Sequence, residues 1–206
     1  DRQYKFFKEE EKLSRAEIQR LTKIFVDLGV ERVRLTGGEP LLRRDLTEIV
    51  EDLSKLDLKD IPLTTNAHFL EEKAQALKDA GVTRITISLD SLEEESFKKM
   101  SGGRGDLQKV IAGIDKAIAV GLGPIKINCV LKKEDNEDSV FPLVDFARER
   151  GVTLRFIEFM DVGNQNKWDL SKVVPSKELL ERIAERYPVE ACKKDFYGEV
   201  AERYRY

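Results

Sequence analysis

The chain has 206 residues, 41% hydrophobic and 36% charged, enough apolar material for one domain and enough charge for a soluble surface. Its 36 basic and 39 acidic residues give a net charge of −3, which argues against a general nucleic-acid or membrane-surface binder and leaves room for a local basic pocket. No stretch approaches the roughly 18 apolar residues of a membrane span, and no signal-peptide pattern opens the chain.

Helix one opens on a capping box, Ser14 with Glu17, flanked by a Leu13–Ile18 staple. Ile18, Leu21, Phe25 and Leu28 are expected to form its buried face, and Gly29 to end it. A short strand, 33–36, runs into the turn GGEP, and Asp45 is placed to cap a helix with Leu46, Ile49, Val50 and Leu53 on one face. Strand 61–65 leads through Asn66 to helix 70–80. Strand 84–89 leads through the expected caps Asp90 and Ser91 to helix 92–100. After the break SGGRG comes helix 107–120, with an apolar face from Leu107 to Ile118. Strand 125–131, a polar loop and helix 139–150 follow. Strand 153–159 enters a longer segment, after which Ser176 is expected to cap a last helix ended by Pro188.

Five strands, each followed by a helix, make a parallel sheet of the (β/α) barrel or doubly wound kind, and neither periodicity nor length separates the two. Polar residues close each strand: Thr36 to Glu39, Thr64 to Asn66, Ser88 with Asp90, and Arg155 with Glu158. Ligands bind at that carboxyl edge in parallel sheets. Lys126 and Asn128 alternate along their strand, so both point to one side. Helix capping does not account for Arg34, Lys126 or Arg155. This spread around the rim suits a barrel better than a single crevice. Glu39, beside glycines that allow close backbone approach, suits a cation such as an amino-acid ammonium. Arg34, Lys126 and Arg155 suit an anion such as a polyphosphate or carboxylate. The two cysteines, Cys129 and Cys192, form no CxxC; Cys129 reads as a small core residue. The single histidine, His68, has no ligand at zinc spacing. A reducing cytoplasm fits this usage.

With GGEP at such a turn, the chain resembles the radical S-adenosylmethionine enzymes, whose GGE motif binds the methionine amino group of the cofactor. The segments VRLTGGEPLLRRDL, LTTN, TISLDSL, IKIN, LRFIEFMDVGNQNKWDLSKVVPS and YGEVAERYR resemble in order the MoaA-type GTP 3′,8-cyclases of molybdenum cofactor biosynthesis. RFIEFMDVGN is specific to that family, whereas GGEP marks the superfamily. The resemblance implies a partial, radical SAM-type (β/α) barrel over 1–188, lacking its first strand, with 189–206 opening a C-terminal region.

It further implies that Gly38, Glu39, Ser88 and Met160 hold S-adenosylmethionine, and that Arg34, Thr64 and Lys126 hold GTP, with Arg155 a weaker candidate. In the family a 5′-deoxyadenosyl radical takes the 3′ hydrogen of GTP, and the sugar radical closes onto C8 of guanine to give 3′,8-cyclo-7,8-dihydro-GTP. Two 4Fe–4S clusters, an electron donor, a downstream cyclic pyranopterin monophosphate synthase and a homodimer belong to the same expectation. Cluster ligands are thiolates, and neither cysteine here matches a ligand position, so the reaction needs segments outside these residues. Position 67 is Ala where the family usually has Gly, which bears on the local turn. The alternatives are another radical SAM enzyme and a non-catalytic nucleotide-binding half-barrel.

Overall fold

The computed structural model describes residues 12–162, 168–193 and 201–205. The first helix, α1 (Arg15–Asp27), carries the expected capping box: the Ser14 amide donates to Glu17 at 2.8 Å, and the Glu17 amide donates back to the Ser14 hydroxyl at 3.3 Å. Its apolar face is not buried as the periodicity predicts. Phe25 is 53% and Leu28 77% exposed, and Thr22 is the one buried residue of the helix. The reason is position. α1 lies beyond the last paired segment of the sheet and packs chiefly on one neighbour, α2 (Leu46–Ser54). Arg15 anchors it there, donating to Asp52 at 2.5 and 2.9 Å.

The segment expected as a strand at 33–36 is an edge ribbon. It joins β1 (Pro62–Thr65) through the isolated parallel bridges Arg32–Asp60 and Leu35–Leu63. Leu35 donates to Pro62 at 2.8 Å, and Thr64 donates back to Leu35 at 2.9 Å. The chain then turns through Gly37 and Gly38 into a short 3-10 turn, Pro40–Leu42, ahead of α2. Four fully paired strands follow: β1, β2 (Arg84–Ser88), β3 (Ile125–Leu131) and β4 (Thr153–Glu158). Between them run α3 (Leu70–Ala80), α4 (Glu94–Met100) with α5 (Leu107–Ala119), and α6 (Val140–Glu149). After β4 come α7 (Ser176–Ala184) and the two short antiparallel strands β5 (Glu190–Ala191) and β6 (Tyr204–Arg205).

All pairings of the main sheet are parallel, in the order β1-β2-β3-β4. A doubly wound sheet reverses its strand order at a switch point; a sequential order is that of a barrel segment, which decides what periodicity left open. One face of each strand meets the helices: Leu63, Ile85, Ile87, Ile127 and Cys129 join Leu77, Ile114 and Leu143 in the main core. The other face is polar. β3 shows this most simply, its odd residues buried and its even ones half-buried.

Three expected caps take other partners. Asp45 sits at the N-terminus of α2, yet its carboxylate turns to Arg43 at 2.7 Å and makes no cap bond. Asp90 accepts from the Val130 amide at 2.7 Å, on β3, while Glu93 caps α4. Ser176 is the first residue of α7 rather than its cap; its amide donates to Glu158 at 2.6 Å. In each case a short polar residue has another partner than its own helix end: a guanidinium for Asp45, a strand amide for Asp90 and a carboxylate for Ser176. Asp106, unremarked in the sequence, caps α5 through the Gln108 amide at 3.0 Å.

Candidate functional site

The strand register brings the expected substrate residues onto one face. Thr64 pairs with Thr86, Thr86 with Lys126 and Lys126 with Thr153; one step further, Ser88 pairs with Asn128 and Asn128 with Arg155. Side chains of one parity share a face, so Thr64, Thr86, Ser88, Lys126, Asn128 and Arg155 all project away from the helices. Arg34 reaches this row from the edge ribbon, donating through one guanidinium nitrogen to Thr64 at 2.9 Å and Thr86 at 3.3 Å. Burial and the nearby Arg84 and Arg155 press the Arg34 guanidinium below its ordinary pKa, while Asp60 opposes them. Asp60 is engaged by Arg84 at 2.6 Å. The polar face therefore concentrates positive charge, which an anion would relieve.

Glu39 stands at one end of this face, half-buried after the glycine turn. Its Oε1 accepts from the Leu41 amide at 2.9 Å and from the Thr65 hydroxyl at 2.7 Å; its Oε2 accepts from the Asn66 amide at 2.7 Å. A carboxylate has about four lone-pair sites, so Oε2 retains one for an incoming cation. A Cβ added at Gly37 or Gly38 would meet no atom within 4 Å, so the backbone there lies open to a ligand. Ser88, the exposed last residue of β2, and Met160, 56% exposed just past β4, complete the group expected to hold S-adenosylmethionine.

Ala67, at a position where the resemblance leads to an expectation of glycine, takes a backbone conformation that favours glycine. It is buried with φ +62°, in the left-handed region, and its amide donates to the Thr65 hydroxyl at 3.0 Å. The turn is therefore kept here despite the methyl group. Asn128 was expected on the side of Lys126, and Thr65 among the polar residues closing β1, neither with a ligand role of its own; Thr86, which pairs with Lys126, carried no local signal that singled it out, and nothing local separates Thr65 from Thr64.

The two cysteines do not suit an iron–sulfur cluster. Cys129 is fully buried in the core; burial pushes its thiol well above its ordinary pKa, and the nearby Asp90 adds to this. Cys192 lies elsewhere, beside β5. Among the described residues no group of three His, Cys, Asp or Glu could hold a metal ion. No helix among them is long and apolar enough to cross a membrane.

Residues 2–147 match the family model of the Radical SAM superfamily, and the chain belongs to that superfamily. Its fold is shared with solved structures. Streptococcus suis SuiB bound to S-adenosylmethionine aligns with a TM-score of 0.66 at 21% identity, over 85% of this chain and 39% of that one. Native anSMEcpe with bound AdoMet aligns at 0.65 and 18% identity, over 90% and 52%. Within the superfamily, the chain is similar to GTP 3′,8-cyclases. It is 46% identical to that of Xanthomonas axonopodis pv. citri over 201 residues, covering 97% of this chain and 60% of that protein. With the Staphylococcus carnosus enzyme it shares 41% identity over 98% of this chain and 59% of the other. The chain thus spans about three fifths of the length of the curated relatives it matches.

Proposed function

We propose that this chain forms the barrel core of a GTP 3′,8-cyclase, holding S-adenosylmethionine and GTP side by side on the polar face of its sheet. The observation that carries the reading is the division of that face: Glu39 beside an open glycine backbone at one end, and Arg34, Lys126 and Arg155 converging across β1 to β4. Similarity to proteins named GTP 3′,8-cyclase supports the choice of substrate.

Glu39, with one lone pair unspent, would take the ammonium of S-adenosylmethionine. Gly38 would let that group approach, and Ser88 and Met160 would flank it. S-adenosylmethionine supplies, when bound and reduced, the radical that starts the reaction. Arg34, Thr64 and Lys126 would hold the triphosphate, with Arg155 beside them, and so fix the sugar in reach. These residues bind and orient, and the closed lower face with its buried core excludes water from beneath.

Cys129 and Cys192 do not serve as cluster ligands, so no step is assigned through a cluster in these residues. In this reading the clusters, the electron donor, the downstream synthase and a homodimer would belong to the whole enzyme, and the curated relatives are longer than this chain. Residues 1–188 would be its partial barrel and 189–206 the start of its C-terminal region.

The test is equilibrium binding of GTP to the Lys126→Ala variant of the full protein by isothermal titration calorimetry. Loss of a charged phosphate contact is expected to weaken binding tenfold or more. An unchanged affinity overturns the assignment.

A further inference from the structure

Arg34 is held by a single nitrogen. Its Nη1 donates to the Thr64 hydroxyl at 2.9 Å and to the Thr86 hydroxyl at 3.3 Å, and Arg34 makes no other side-chain hydrogen bond among the described residues. The two threonines are register partners across β1 and β2, so this nitrogen bridges adjacent strands. They are not equivalent. Thr64 is half-buried and open to a ligand, whereas Thr86 is only 5% exposed and has Lys126 as its partner on the other side. A hydroxyl withdrawn from water destabilises the fold unless it is hydrogen-bonded. Among the described residues, Arg34 is what bonds the hydroxyl of Thr86.

We infer that Thr86 is a positioning residue, which aims the guanidinium of Arg34 so that the free edge of that fork meets an anion already oriented. The inference rests on the GTP-binding reading above and names what holds its arginine in place. A guanidinium carries five N–H donors in one plane. Fixing Nη1 between two oxygens on neighbouring strands fixes that plane, and Nε and Nη2 remain for two parallel bonds to a phosphate. Without the Thr86 oxygen, Nη1 keeps one acceptor and the guanidinium can turn about it. Its surroundings favour a turn, because Arg84 and Arg155 repel it and Asp60 attracts it. An arm free to turn must be ordered again when the anion binds, and that ordering weakens affinity. The donor released from Thr86 would by itself strengthen the pull on an anion. Arg34 is exposed, however, so water satisfies that donor and the ordering cost decides.

The experiment compares the full protein with its Thr86→Val, Thr86→Ser and Arg34→Ala variants and the Thr86→Val, Arg34→Ala double variant, each first shown to melt cooperatively. Calorimetry then measures binding of GTP and of S-adenosylmethionine. Thr86→Val keeps the branched shape and removes the oxygen. It is expected to weaken GTP about threefold to tenfold and to leave S-adenosylmethionine unchanged. Thr86→Ser keeps the oxygen and should bind GTP as the parent does. In the Arg34→Ala background Thr86→Val should change nothing further, because the hydroxyl then has no arginine to aim. A merely structural role would show in both backgrounds. Unchanged or tighter GTP binding by Thr86→Val, beside a loss in Arg34→Ala, overturns the inference and leaves the GTP reading standing. An equal loss in both backgrounds also overturns it, since Thr86 would then act without Arg34. So does a parallel loss of S-adenosylmethionine, or a serine variant as weak as the valine one. Should Arg34→Ala bind GTP as the parent does, the reading of Arg34 as a GTP contact fails and the inference falls with it, a result separable from failure at Thr86 alone.

Discussion

Thr65 donates its hydroxyl to Oε1 of Glu39 at 2.7 Å, tying the glycine turn to the end of β1. The same hydroxyl accepts from the Ala67 amide at 3.0 Å, so one buried oxygen holds both the acid and the left-handed residue behind it. Thr65→Val keeps the shape and removes the oxygen. It is expected to cost about 1–2 kcal/mol in urea unfolding, because it removes one charge-assisted bond and strands an amide. Affinity for S-adenosylmethionine should fall with it, since Glu39 loses one of its three restraints. A variant with parental stability and affinity would show that Glu39 is positioned by Leu41 and Asn66 alone.

Asp90 is mostly buried, and that burial raises its carboxyl above the ordinary range, while the Val130 amide works in the opposite direction. A folded-state pKa above the unfolded one favours folding at low pH, and the advantage fades as pH rises through the folded value. Asp90→Asn keeps the acceptor oxygen without the charge. The variant is expected to be more stable than the parent at pH 7, with the difference closing near pH 3. Urea midpoints at the two pH values check this, and a variant less stable at pH 7 would count against it.

Asp52 behaves oppositely. Its hydrogen bonds from Arg15 hold its pKa down to about 2, with Lys55 assisting. Stability from this pair is therefore complete above the ordinary carboxylate range, about pH 4, and is lost as pH falls toward 2. Asp52→Asn should flatten that part of the stability–pH curve. Because the pair anchors α1, amide hydrogen exchange within Arg15–Asp27 should accelerate in the variant more than exchange in α3.

Gly113 lies in α5 where it crosses the start of α3. A Cβ there would stand 2.8 Å from the Ala67 carbonyl oxygen and 3.0 Å from Leu70 Cβ. Backbone cannot yield as a flexible side chain does, so Gly113→Ala is expected to destabilise by about 1–3 kcal/mol despite its better helix propensity. Thermal unfolding measures it. A stabilised variant would mean that α3 and α5 can slide apart without loss.

The alternation of strands and helices was legible because Ile85, Ile87, Ile127 and Cys129 repeat at period two and Val110, Ile114 and Ala117 at helical spacing. Capping was less legible. Asp45, Asp90 and Ser176 each had the right chemistry for a cap, but Arg43, two residues away, took Asp45, and partners on other elements, which no local pattern shows, took Asp90 and Ser176. The face of α1 failed for a related reason: periodicity says which residues share a side, and only the neighbours decide whether that side is covered. In the candidate site, Lys126 was visible as a cation out of place on an apolar strand. Thr65 was not, since either threonine of a pair can face the core and the register alone chooses.

Strand β3 carries two kinds of information on alternate residues. Ile125, Ile127, Cys129 and Leu131 fill the interior, where truncation costs about 2–5 kcal/mol for a large aliphatic side chain. Lys126 and Asn128, interleaved with them, face the polar side, where the same truncation should leave folding nearly untouched. A saturation scan along these seven residues, scored once for abundance and once for nucleotide retention, should therefore give two profiles in antiphase. In this strand selection can act on affinity and on folding almost independently, although the residues concerned are covalent neighbours.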